Sequence, residues 1–156
     1  MAKIVIDAGH GGVDGGAISC TGVLESQINL EIALRLEELL HFLGFETKMI
    51  RRTDVSVYTE GETIAAKKIS DLKNRVKIVN ETDGGILISV HQNQFSDSRY
   101  SGAQVFHGKN EVGKALAIKL QTALVSNLNI GSNRKAKIAS GVYLMDKITN
   151  PGVLIE

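Results

Sequence analysis

With one cysteine, Cys20, in 156 residues, the chain has no internal disulfide and no thiolate-based zinc cluster. Cys20 reads as a small packing residue or a bystander. There is a single proline, Pro151, placed in a loop, and no internal repeat or low-complexity stretch that would divide the chain. No apolar run approaches the ~18 residues of a membrane span, and no signal-peptide pattern stands ahead of the first strand. The expectation is either a cytosolic chain or an exported one whose export segment is absent from this sequence. Neither sign of charge dominates: 18 basic residues meet 17 acidic ones, so no global field favours nucleic acid or an anionic membrane. Between Lys109 and Lys147, however, seven Lys/Arg stand against two Asp/Glu, a net of +5 that suits an anionic ligand or simply a solvated face.

What is present is a composition ordinary for one soluble domain, with apolar patterns that alternate between strand-like and helix-like. Lys3–Ala8 is a short β-branched run. Residues 25–43 carry Ile28, Ile32, Leu36, Leu39, Leu40 and Leu43 at helical spacing, with Gly44 closing the helix. "FETKMIRR" reads as a strand, and Ile69, Leu72, Val76 and Val79 mark a second amphipathic helix that ends before "DGG". "ILISV" is a fully apolar strand and "GAQVFHG" a short one. Val112–Leu128 reads as a helix, "GVYLM" as a strand, and "VLI" as a last strand running into Glu156. This alternation predicts an α/β fold: a single twisted, mostly parallel sheet with helices on both faces. Ligands gather at the carboxyl ends of such strands, where the chain offers His10, His91 and Glu156.

Two stretches invite a phosphate reading. "GHGGVDGG" puts Asp14 where a dinucleotide fingerprint needs its third glycine, and "GKNEVGKA", residues 108–115, puts Ala115 where a phosphate loop needs a hydroxyl. No nucleotide is expected. The alternative is metal. His10 and His91 each follow an apolar strand, and Glu25 opens the first helix. Two imidazoles, one carboxylate and an open fourth position form a common catalytic zinc set. The glycines beside His10 would let backbone and substrate approach an ion closely. A hydrogen-bonded strand-end histidine, and a glutamate favoured by the helix dipole, remain the plain alternatives. His41 and His107 have weaker claims.

The stretches "KIVIDAGHGGVDGGA", "LESQINLEIALRLEELL", "RRTD", "ISVHQN" and "NPGVLIE" occur in the order seen in the zinc-dependent N-acetylmuramoyl-L-alanine amidases of the amidase-3 family, which the whole chain resembles. "KKISDLKNRVKIVNET" with "SVHQNQFSDSRYSGAQVFHG" resembles its sporulation branch, which prepares muramic-δ-lactam in spore cortex for germination. The resemblance implies one amidase catalytic domain over residues 1–156, with Zn²⁺ held by His10, Glu25 and His91, and Glu156 as the catalytic glutamate. Asn93 falls in the family's HxN pattern and implies a positioning role. Asp7 is either an outer partner of a ligating histidine or a strand-end residue that caps a turn. Relatives continue past the catalytic glutamate through a further loop and helix, so a truncated C-terminal portion is expected. The substrate implied is peptidoglycan or a muramyl peptide, outside the cytoplasm, with an accessory protein of the spore envelope as a partner. Two other readings stay open: a non-catalytic or partner-dependent peptidoglycan-binding module, and another zinc hydrolase such as a carboxypeptidase.

Overall fold

A computed structural model describes residues 3–94 and 101–156. Residues 95–100, part of the stretch that carries the sporulation-branch resemblance, lie outside the described residues. The strands are β1 (Lys3–Ala8), β2 (Glu46–Met49), β3 (Gly85–Val90), β4 (Val105–His107), β5 (Lys137–Ile138) and β6 (Gly152–Ile155). The helices are α1 (Glu25–Phe42), α2 (Ile64–Asn80), α3 (Glu111–Asn127) and α4 (Tyr143–Lys147). The strands form one sheet in the order β2-β1-β3-β6-β4-β5. All neighbouring pairs are parallel except β4 with β6. The expected mostly parallel sheet is therefore what the chain forms.

Alternation along the strands sends side chains to both faces, and both are covered. Val5, Leu87 and Leu154 pack with Val79 of α2 and with Leu144 and Met145 of α4. On the other face Ile6 and Ala8 meet Ala33 of α1, while Val105 and Val153 meet Ala117 of α3. The alanines let both helices sit close to the sheet. Thr63 caps α2 by accepting from the Ala66 amide, and Asn110 caps α3 by accepting from Val112 and Gly113. α1 closes as expected at Gly44, whose φ of +81° suits glycine; its amide reaches the His41 carbonyl while Phe45 reaches Leu40. Among the described residues no helix is long and apolar enough to cross a membrane.

Several local expectations are corrected. "GVYLM" is the short helix α4, not a strand, since an apolar run of five residues has no period that separates the two. The strand read in "FETKMIRR" stops at Met49, because Arg51 leaves the sheet to bind backbone beneath the end of β1. The two-residue β5 carries no apolar signal. The apolar stripe assigned to α1 is only partly inside: Leu36 and Leu40 pack against the core, whereas Ile32, Leu39 and Leu43 are exposed and Ser26, Asn29, Ala33 and Glu37 are buried. Ile69 of α2 is likewise exposed, with Ser70 and Arg75 inside. Cys20 is exposed, so it is a bystander and packs nothing.

Candidate metal centre

β1, β3 and β6 are adjacent and parallel, so their carboxyl ends deliver His10, His91 and Glu156 to one edge of the sheet. Glu25 arrives from the side, as the first residue of α1. That helix starts without a side-chain cap. Its first amides are instead satisfied by the glycine loop, Glu25 N–H donating to Ala17 O at 2.8 Å and Ser26 N–H to Gly15 O at 3.0 Å. The loop therefore both carries His10 and fixes where Glu25 points.

The three side chains converge. Glu25 Oε2 lies 3.3 Å from His10 Nε2, and Glu25 Oε1 lies 3.0 Å from His91 Nδ1. One ligand atom from each residue falls within 4.8 Å of the others. The Glu25 carboxylate thus lies within 3.3 Å of a nitrogen on each ring, the nitrogen and oxygen donor set that a zinc-type cation takes. A second observation tests the fit. His10 Nδ1 is 3.0 Å from Asp14 Oδ2, so both of its ring nitrogens face carboxylate oxygens. A neutral imidazole has one N–H and leaves one such contact repulsive. Either the ring is protonated or a cation stands at Nε2. The first force on its pKa is the Glu25 hydrogen bond, which together with Asp14 raises it above the ordinary histidine value despite burial. The residues fit a divalent cation of the zinc type.

Glu25 is prepared as an anion. Burial pushes its pKa up, but His10, His91 and the Ala17 and Gln92 amides outweigh burial and hold it far below the usual carboxylate range. Asn29, fully buried, donates to Glu25 Oε1 and to the Gly9 carbonyl, and accepts from Gln92. Glu156 goes the other way. Burial raises its carboxyl above the ordinary value, His91 pulls it down, and the Glu25 charge raises it again. Its backbone is held firmly by Gln104, which donates to Glu156 O at 2.7 Å and accepts from Glu156 N at 2.9 Å. Glu156 shares a cavity of about 230 Å³ with His10 and His91, and a second of about 490 Å³ with His91 and Asn93. Asn93 itself is exposed at that rim.

Asp7 does neither thing expected of it. It accepts from Ser89 Oγ at 2.6 Å and pairs with Arg75, with no bond to a histidine ring among the described contacts. Of the two carboxylates on the His10 ring, Glu25 faces Nε2 and Asp14 holds Nδ1. Arg75 passes the effect of Asp7 onward, donating to the carbonyls of Ala8 at 3.0 Å and His10 at 2.7 Å. Arg51 donates to Ala8, Gly9 and Ser26 carbonyls. Two guanidiniums thus clamp a loop in which His10 adopts a φ of +60°, a left-handed backbone uncommon outside glycine. The glycines are used for space: a Cβ on Gly9 would lie 2.4 Å from the His91 ring, and one on Gly16 2.7 Å from both Glu25 and His10. Asp14 stood in the quoted loop with its role unread. Arg75, on the buried side of α2, has no local sequence signal.

Comparison with known proteins identifies the family. The family described as N-acetylmuramoyl-L-alanine amidase matches residues 4–156. The germination-specific N-acetylmuramoyl-L-alanine amidase of Bacillus subtilis is 39% identical over 98% of this chain, which spans 65% of that protein's length. Among solved structures, the CwlD amidase of Clostridioides difficile, in complex with the GerS lipoprotein, superposes with a TM-score of 0.93 at 36% identity, covering 100% of this chain and 81% of that one. The amidase AmiC2 of Nostoc punctiforme gives 0.78 at 27% identity, over 99% of this chain and 78% of that one. The sheet, the converging histidines and glutamate, and these matches together place the chain in the amidase-3 family of N-acetylmuramoyl-L-alanine amidases.

Proposed function

We propose that the chain hydrolyses the amide bond between the lactyl group of N-acetylmuramic acid and L-alanine in peptidoglycan, with Zn²⁺ held by His10, Glu25 and His91. The observation that carries this reading is the His10–Glu25–His91 cluster, whose two histidines line the same cavity as Glu156. When bound, zinc supplies Lewis acidity that polarises the scissile carbonyl and acidifies water to a pKa of ~7. Glu156, its carboxyl raised by burial, takes the proton of the attacking water and returns it to the leaving nitrogen of L-alanine. Asp14 and the clamped loop hold the His10 ring, and Glu25 is kept ionised by its donors. Asn93, at the rim, orients substrate.

The similarity to a germination-specific amidase and to CwlD supports a role on spore-cortex peptidoglycan, outside the cytoplasm. That CwlD was solved with the GerS lipoprotein supports an accessory envelope protein as a partner here. The test is to measure bound zinc and the release of stem peptide from muramyl-peptide fragments, with and without chelator. Whole stem peptides released in a zinc-dependent manner support the reading. Loss of a terminal amino acid would make the chain a carboxypeptidase, and affinity without turnover, with zinc bound, would make it a binding module.

A further inference from the structure

The segment between α3 and β5, with β5 itself, surrounds a separate open cavity of about 670 Å³ with Arg134, Lys135 and Lys137. Asn93 and Arg134 line both this cavity and the one reached by His91 and Glu156, so the two share a wall. Most cations near the metal centre are matched, Lys68 by Asp14 and Arg75 by Asp7 and Asp71. Among the described residues, Arg134, Lys135 and Lys137 have no carboxylate at ion-pair distance.

The basic segment is tied to the centre through one buried side chain. Gln104 is 3% exposed, and its Nε2 donates to Lys135 O at 2.7 Å. The same residue exchanges two backbone hydrogen bonds with Glu156. At the far end Lys137 pairs in register with Phe106 of β4, and Arg134 N–H donates to Ser132 Oγ at 3.3 Å. The backbone that carries the three cations is therefore tied to the backbone of Glu156. Lysine on an edge strand also discourages pairing with another sheet, which accounts for Lys137 on β5. It does not account for Arg134, which is half-buried in the shared wall.

We propose that Arg134, with Lys135 and Lys137, forms a subsite for a carboxylate of the stem peptide, and so sets which way the substrate lies across the metal centre. This rests on the amidase reading above. A guanidinium fork matches a carboxylate with two parallel hydrogen bonds, and the two lysines add charge without geometry. The leaving peptide lies toward β5, and the sugar toward the opposite side of the centre.

The experiment compares two muramyl dipeptides of nearly equal shape with the zinc-loaded protein: N-acetylmuramoyl-L-alanyl-D-glutamate, and its D-isoglutamine counterpart, in which a carboxamide replaces a carboxylate. The acid is expected to be cleaved with a kcat/KM about tenfold higher, mostly through KM, since one charge-assisted hydrogen bond is worth about that ratio. The preference shrinks at high salt. In R134Q/K135Q/K137Q, checked for an unchanged thermal melt, the ratio falls to near one. Equal cleavage of both compounds by the unmodified protein overturns the subsite and leaves the amidase reading standing, as does a preference that survives the triple substitution. Cleavage of neither overturns the amidase reading, and the subsite with it.

Discussion

Replacing Arg75 by leucine isolates the largest electrostatic commitment in the loop that carries His10. Arg75 and Asp7 are 3% and 1% exposed and in direct contact. Burial alone would push the Asp7 carboxyl up; Arg75, His91 and Ser89 reverse that and hold it below its ordinary value. Removing the guanidinium leaves Asp7 with Ser89 Oγ as its remaining donor among the described contacts, and opens the His10 carbonyl. The Ala8 carbonyl keeps its bond from Arg51 Nε at 2.8 Å. Breaking a buried pair from one side costs about 3–5 kcal/mol, a large share of the 5–15 kcal/mol typical of a domain. With a urea slope of ~2 kcal/mol/M, Arg75→Leu should lower the unfolding midpoint of the metal-free protein by about 2 M. Chelator is needed because bound metal would add its own stabilisation. If the cost comes from an orphaned charge, Asp7→Asn in the same chain should recover about half of it, since the amide still accepts from Ser89 and carries no charge. A double variant that unfolds at or below the midpoint of Arg75→Leu would refute the argument and assign the loss to packing.

The same pair sets a pH dependence. Asp7 titrates below its unfolded value of 3.8, so its contribution is fully present above that pH and fades as pH drops through the depressed folded value. Urea midpoints between roughly pH 5 and 2 should therefore fall more steeply for the unmodified protein than for Asp7→Asn, and parallel slopes would discount the pair. Gly9→Ala, whose Cβ would meet the His91 ring at 2.4 Å, should weaken zinc binding at least tenfold in a competition titration, because the ring must move off the position it shares with Glu25 to relieve that contact. Unchanged affinity would mean the ring shifts freely. Glu156→Gln should keep zinc stoichiometry while lowering kcat by about 10²–10⁴; equal loss of metal would make Glu156 a ligand instead.

Much of this architecture is legible in the sequence. The order of apolar runs gave the sheet, and the rule that sites form at the carboxyl ends of parallel strands pointed to His10, His91 and Glu156 because β1, β3 and β6 are neighbours. The helix faces were misread for a physical reason. α1 turns Glu25, Asn29 and Glu37 inward to serve the centre and the Arg52 pair, so Leu36 and Leu40 share the buried face with polar residues while Ile32 and Leu39 are left outside. Arg51 and Arg75 carry no local signal because a buried arginine is recognised by the carbonyls it meets, and apart from Thr53 these come from residues 25 to 67 positions away. Asp7 was seen as important and given the wrong partner, since strand register decides that it faces Ser89.

The position of β6 has a consequence for how the site assembles. It follows β5 in the chain, yet it sits inside the sheet between β3 and β4. His10, Glu25 and His91 all come from the first 91 residues, whereas Glu156 follows β6. The two sets of groups therefore meet only when β6 is seated between its neighbours. On the amidase reading proposed above, seating that strand and bringing the proton-carrying carboxylate to the ligands are a single step.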